Sequence, residues 1–327
     1  MPTQRNTTHS TVWFLAPTLL VTLAMVTVVF DHRLASPATD LHSYIANAHR
    51  ADWFPRSYFQ NPVQFLSNEV HFHLWLSWLS RLLGGAEPAL RVLTAVATFG
   101  VLLLLSRGAA VRRVLVLLLL VHPRVLDLLT SQTRFALATM FFLIAIELRS
   151  PIFRYSVALI AVSFHFYFAI MFVLLVVSDL ANRVSSLQPT LEARRLTSLL
   201  TAVVVASFGA TAVWASGDLL GLIGDRRYGG GATSVGDMYF VASVGLLIGY
   251  LVWNARRVNR FPLLALLFVA ASFTAAHLVD TFSSRYLAFA MVLAAYTMPT
   301  RFTDLGFVLL PPYLVFLGVS YYYWLLP

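Results

Sequence analysis

From Thr11 to Phe30 the chain carries no charged side chain, and apolar runs of similar character recur along most of its length. A run of about 20 such residues is what a helix needs to cross a hydrocarbon core of about 30 Å. A helix also satisfies every backbone N–H and C=O within the segment, which lipid cannot do for it. Composition decides against the alternative. Hydrophobic residues are 59% of the 327 and charged residues only 11%, against about 25% charged in a soluble domain. A water-soluble globule is excluded. The chain reads as an all-α polytopic integral membrane protein of about 10–12 hydrophobic helices, forming a single transmembrane domain over 1–327.

The first run is longer than the 7–15 residue core of a signal peptide, so it reads as an uncleaved first transmembrane helix with the N-terminus in the cytoplasm. Further runs lie near 72–83, 88–106, 114–129, 135–148, 152–164, 166–179, 197–216, 237–253, 261–279, 284–298 and 305–325. The 72–83 run is too short to cross and reads as a half-helix or a surface helix. The stretch 152–179, centred on His165, reads as two short helices or one long one.

The formal charge of +9 does not imply nucleic acid, because the basic residues sit in short clusters between apolar runs. Such clusters mark the cytoplasmic side of membrane proteins. They are Arg107/Arg112/Arg113, Arg149/Arg154, Arg183/Arg194/Arg195 and Arg256/Arg257/Arg260. With all four inside, and the 72–83 run not crossing, the alternation closes. The outer face then receives two loops, about 31–70 and 217–235. With no cysteine there is neither a disulfide framework nor a thiolate site.

That outer face gathers the polar residues that hydropathy leaves unexplained. The first loop carries Asp31, Arg33, Asp40, Tyr44 and Glu69; the turn before the 135–148 run carries Arg124, Asp127, Gln132 and Arg134. His165 stands at the tip of the 152–179 stretch, Arg226, Arg227 and Tyr228 precede the Gly229–Gly231 triplet, and His277, Asp280, Arg285 and Tyr286 lie between two late runs. Ionisable groups at a membrane boundary are costly and usually face protein or an aqueous cavity. A single arginine could instead snorkel to the headgroups, but several arginines gathered on the side that disfavours them point to an anionic ligand.

Guanidinium groups match phosphate oxygens in planar, bidentate fashion. Arg134, Arg285, Arg226 and Arg227 therefore read as binding a diphosphate, and their charge would stabilise a diphosphate leaving group. An acceptor hydroxyl must lose its proton, for which His165, Asp40 and Glu69 are the candidate bases. Gln132, Tyr44, Tyr228, His277, Asp280 and Tyr286 are further candidate substrate contacts. His71 and His73 lie two apart, with no HExxH or Asp-rich triad nearby, so no metal site and no cofactor are read. No DxD motif suggests a metal-bound nucleotide sugar.

Three segments resemble a known family: "LTSQTRFALATMFFLIAIELR" (129–149), "SVALIAVSFHFYFAIMFVLL" (156–175) and "DTFSSRYLAFAMVLAAY" (280–296). They are similar to the EpsG-like branch of Wzy-type polysaccharide polymerases, with Gln132 and Arg134 on its Q-x-R helix start, His165 on its short helix ending in histidine, and Arg285 with Tyr286 on its late helix. Phe166 departs from the small or polar residue usual after that histidine. The resemblance implies a GT-C-like fold in the bacterial inner membrane with a periplasmic active face. It implies an inverting, metal-independent glycosyltransferase that joins undecaprenyl-diphosphate-linked repeat units in O-antigen or exopolysaccharide synthesis. Its partners would be lipid-linked donor and acceptor glycans, membrane lipid, a chain-length regulator and a flippase.

Two other classes compete. A related membrane glycosyltransferase or an O-antigen ligase would share the chemistry, but a ligase calls for a long late outer loop, and 217–235 is short. A polysaccharide transporter or flippase without catalysis would show repeated halves and polar residues along its path; no repeat is seen.

Overall fold

The computed structural model describes residues 7–36, 40–49, 52, 54, 56–67, 69–106 and 122–214, with isolated positions between 261 and 321. Every regular element among the described residues is a helix. They are α1 (Thr7–Ala24), a π-helical turn (Met25–Val29), α2 (Phe30–Ala35), α3 (Asp40–Ala46), α4 (Arg56–Gln60), α5 (Pro62–Ser67), α6 (Val70–Leu83) and α7 (Ala86–Ser106). After the undescribed residues 107–121 come α8 (Pro123–Thr130), α9 (Thr133–Glu147), α10 (Pro151–Phe164), α11 (Phe168–Leu187) and α12 (Leu191–Trp214). Three helices among the described residues are long and apolar enough to cross a bilayer: Leu15–Ala35, Ala86–Ser106 and Phe168–Leu187. The pair α8 and α9, bent by 94° at Ser131–Gln132, makes a fourth if counted as one broken span. The protein is a helical membrane protein. The apolar runs beyond 214 lie almost wholly outside the described residues.

The chain divides into two compact units, residues 1–108 with 126–172, and residues 109–125 with 173–327. In the first, α9 is the central helix and is buried except along the Phe141, Ile144 and Glu147 face of its C-terminal half, which accounts for its largely apolar character. Parallel to it runs α7. Thr94 and Thr133 share a hydroxyl hydrogen bond of 2.9 Å, the Thr98 hydroxyl donates to the Leu129 carbonyl at 3.1 Å, and Gly100 lies against Met140. A methyl on Gly100 would occupy the space of the Met140 Sδ and Cγ, so a larger residue there would require the Met140 side chain to move. Next, α10 returns antiparallel to α9. Pro151 opens it, where a missing N–H costs nothing, and Arg154 Nη2 donates to the Leu148 carbonyl at 2.8 Å across the turn. Described residues of the second unit are chiefly the end of α11 and α12, with Phe208 against Phe268 at 5.8 Å between ring centroids.

The first span continues through α2 to Ala35, so Asp31 and Arg33, expected in the first outer loop, sit on its last turns. The loop beyond it contains three short helices, α3 to α5. The 72–83 run is α6, whose 14 residues span about 21 Å, short of the ~30 Å core. Both of its ends belong to one end of the unit: Glu69 before it meets Arg134, and Gly84, in the left-handed conformation at φ 75°, turns the chain into α7. Trp75, Trp78 and Leu82 form its exposed stripe, while Val70, Phe72 and Leu76 are buried. It does not cross. The 152–179 stretch resolves into two helices that break at His165, whose backbone is extended at φ −151° and ψ 117°.

Candidate functional site

Four elements deliver polar side chains to one end of the first unit. Arg134 lies in the first turn of α9 and is 6% exposed. Its Nη1 pairs with Glu69 Oε2, its Nε–H donates to Tyr44 Oη at 3.1 Å, and its guanidinium carbon lies 4.9 Å from the Tyr44 ring centroid and 5.9 Å from that of Phe72. Of the five guanidinium donors, those on Nη2 have no hydrogen-bond partner among the described residues. A buried charge of this kind persists only when paired and hydrogen-bonded, and both conditions are met by residues 65 and 90 positions away.

Glu69 is buried at the turn before α6 and is the only non-glycine residue with positive φ among the described residues (φ 53°, ψ 37°). Left-handed backbone is uncommon for a residue with a Cβ and tends to occur where function demands it. Its second oxygen, Oε1, lies 3.6 Å from His165 Nδ1, which also accepts from the Tyr167 backbone N–H at 3.3 Å. The imidazole stands edge-on to the Phe135 ring, centroids 4.9 Å apart. Proton uptake at Nδ1 would form an ion pair with Glu69. Tyr44, on α3, is pushed up to about 12, chiefly by burial; Arg134 opposes the shift and the charges of Asp40 and Glu69 add to it. The phenol therefore stays neutral and serves as a hydrogen-bonding partner. Asp40 sits one turn earlier on α3, and its charge reaches both Tyr44 and Arg134.

Gln132 belongs to a neighbouring group at the break between α8 and α9. Its Nε2 donates to Asp127 Oδ2 at 3.2 Å, Asp127 also accepts from the Ser131 hydroxyl, and Arg33 Nη2 pairs with Asp127 at 2.7 Å. A third group joins Arg91 to Asp31 and to Glu87, with the Arg91 guanidinium over the Phe30 ring at 4.8 Å. His71 and His73 go to different surroundings. The His71 ring stacks on Phe164 and bonds Ser163, while His73 is buried against Phe54 and Phe72. Among the described residues no group of three or more His, Asp or Glu converges to hold a metal ion.

Of the residues singled out from sequence, Arg134, Glu69, Tyr44, His165 and Asp40 come together, and Gln132 stands beside them. Arg226, Arg227, Tyr228, His277, Asp280, Arg285 and Tyr286 lie outside the described residues. Sequence reasoning left out Arg91, although Glu87 four residues earlier on the same helix was a readable pair. It also left out Phe72 and Phe135, whose aromatic character says nothing about which cation or imidazole they will meet.

Comparison with protein-family models, with curated proteins and with solved structures finds no match to this chain.

Proposed function

We propose that this protein is a membrane glycosyltransferase that polymerises undecaprenyl-diphosphate-linked repeat units at the periplasmic face of a bacterial inner membrane, in the manner of the EpsG-like Wzy polymerases. The observation that carries this reading is the grouping of Arg134, Glu69, Tyr44 and His165 at the end of the first unit opposite the Arg149/Arg154 turn. About 22 Å of α9 separates the two ends. If the basic turn faces the cytoplasm, the cluster opens on the other side.

In the proposed reaction the acceptor hydroxyl attacks the anomeric carbon of the donor glycan from the face opposite the diphosphate. The C–O bond to undecaprenyl diphosphate breaks, and the leaving group takes the electron pair. The hydroxyl proton passes to His165. Nδ1 accepts from the Tyr167 N–H and faces Glu69, so it is the unprotonated nitrogen and takes the proton, and the imidazolium formed there pairs with Glu69. Arg134 holds the Glu69 carboxylate through Nη1 and offers Nη2 to a phosphate oxygen, where a fixed positive charge stabilises the departing diphosphate. Since Glu69 neutralises one guanidinium charge, Arg226, Arg227 and Arg285 are the candidates for completing the phosphate site.

The break at Ser131–Gln132 favours the transporter reading, because transporters place such breaks at their sites. Against it, the polar groups gather at one end of the unit. The test is polymerisation of purified lipid-linked repeat units by the reconstituted protein. His165→Gln keeps hydrogen bonding but not basicity near neutral pH, and is expected to slow polymer formation by about 10²–10⁴ while single repeat units still bind. Arg134→Lys, which loses the planar fork, is expected to abolish polymer at normal protein level. A wild-type rate in His165→Gln removes the histidine from the mechanism, and wild-type rates in both variants overturn the reading.

A further inference from the structure

His71 follows Glu69 by two residues, and Ser163 precedes His165 by two. These two flanking residues are themselves hydrogen-bonded, His71 Nδ1 to Ser163 Oγ at 2.9 Å. The direction of that bond follows from the serine's other contact. Ser163 Oγ donates its only proton to the Ile160 carbonyl at 2.7 Å, so toward His71 it can only accept, and Nδ1 must carry the proton. The ring is further held by stacking on Phe164, with centroids 5.0 Å apart and planes at 22°, and by the edge of Trp75 at 5.6 Å.

Glu69 needs such support. Its left-handed backbone is an unfavourable conformation that persists only where surroundings over-determine it. The backbone bonds at the turn, Glu69 N–H to the Leu66 carbonyl and Phe72 N–H to the Glu69 carbonyl, both 3.1 Å, are local to it. They set the shape of the turn and leave its distance from α10 open. The His71–Ser163 bond ties the start of α6 to the last turn of α10, the two places from which Glu69 and His165 face each other at 3.6 Å.

We propose that His71 and Ser163 form a positioning strut that holds the Glu69 carboxylate opposite the His165 imidazole. This rests on Glu69 and His165 being the proton-accepting pair of the proposed function. Neither strut residue is placed against substrate. Facing His165 are Glu69, the Phe135 ring and the Tyr167 N–H, and the Glu69 carboxylate is itself paired with Arg134, whose charge Tyr44 and Asp40 also face.

The test is a titration of His165 by NMR of the full chain in nanodiscs with labelled histidine, the resonance being assigned by its loss in His165→Gln. Glu69→Gln is expected to move the His165 midpoint, because the carboxylate that stabilises its imidazolium is gone. Ser163→Ala is expected to move the midpoint in the same direction by less. Ser163→Thr keeps the acceptor and His71→Asn keeps an N–H donor near the Nδ1 position, so both should titrate like wild type. Turnover in the polymerisation assay should fall about tenfold to a hundredfold in Ser163→Ala, as expected for a displaced catalytic group, with rescue in Ser163→Thr. If Glu69→Gln shifts the midpoint and Ser163→Ala does not, the strut is wrong and the pair stands. A midpoint unmoved by Glu69→Gln removes the pair itself, and with it both the strut and the proposed base.

Discussion

Replacing Glu69 by glutamine removes one charge while keeping nearly the same volume, and it strands the Arg134 guanidinium in a site where that residue is 6% exposed. Breaking a buried ion pair by deleting one partner costs about 3–5 kcal/mol. The nearby Asp40 charge argues for the lower part of that range. Tyr44→Phe is the graded comparison. It keeps the ring 4.9 Å from the guanidinium carbon and deletes only the acceptor of the Nε–H, for which a charged hydrogen bond suggests a loss of about 1.5–3 kcal/mol. The double variant Glu69→Gln with Arg134→Met removes both charges, and buried pairs replaced by apolar groups are often neutral. It should therefore be more stable than Glu69→Gln alone. Equilibrium unfolding in mixed micelles of wild type, Glu69→Gln, Tyr44→Phe, Arg134→Met and the double variant measures the order, and the cycle through Glu69→Gln and Arg134→Met isolates the coupling. A Glu69→Gln variant as stable as wild type, or a double variant that simply sums the two single losses, would mean that solvent already screens the pair and that the buried-cluster argument fails.

Further outcomes follow from other contacts. Gly100→Val should destabilise by about 1–3 kcal/mol through overpacking, and Met140→Ala in the same chain should recover part of the loss in thermal unfolding. Because the chain has no cysteine, single cysteines report topology directly. In intact cells an impermeant maleimide should label Gln60→Cys, and should label Ser150→Cys only after permeabilisation; the reverse pattern would put the site on the cytoplasmic side. Burial holds the His71 imidazole below its ordinary 6.5. The unfolded chain therefore binds that proton more readily, and the stability contribution is complete above 6.5 and lost as pH falls below it. Unfolding curves of wild type and His71→Asn between pH 7.5 and 5, a window chosen to bracket the imidazole range, should diverge on the acid side, with the variant less pH-sensitive.

The membrane class and the helical character needed only the sequence, because twenty uncharged residues have no other stable arrangement in lipid. The shortness of 72–83 against a bilayer core was arithmetic on helix rise, whereas the stretch 152–179 could be read as two helices or one, and only the fold shows the break at His165. Arg134 and Glu69 were each visible as charges at the edge of apolar segments, and their cost alone marked them as candidates. Their relation was not visible. The sequence placed Arg134 among the phosphate ligands and Glu69 among the bases as separate parts, whereas in the fold they neutralise one another, with Tyr44 closing the third side. The pairing of Asp127 with Arg33 was equally hidden. Periodicity and hydropathy describe the environment of one helix at a time. Which charge answers which is set by how α3, the turn before α6, and α9 pack, and low dielectric makes that choice stringent: a buried charge must find a partner, and only the tertiary structure brings one from 65 residues away.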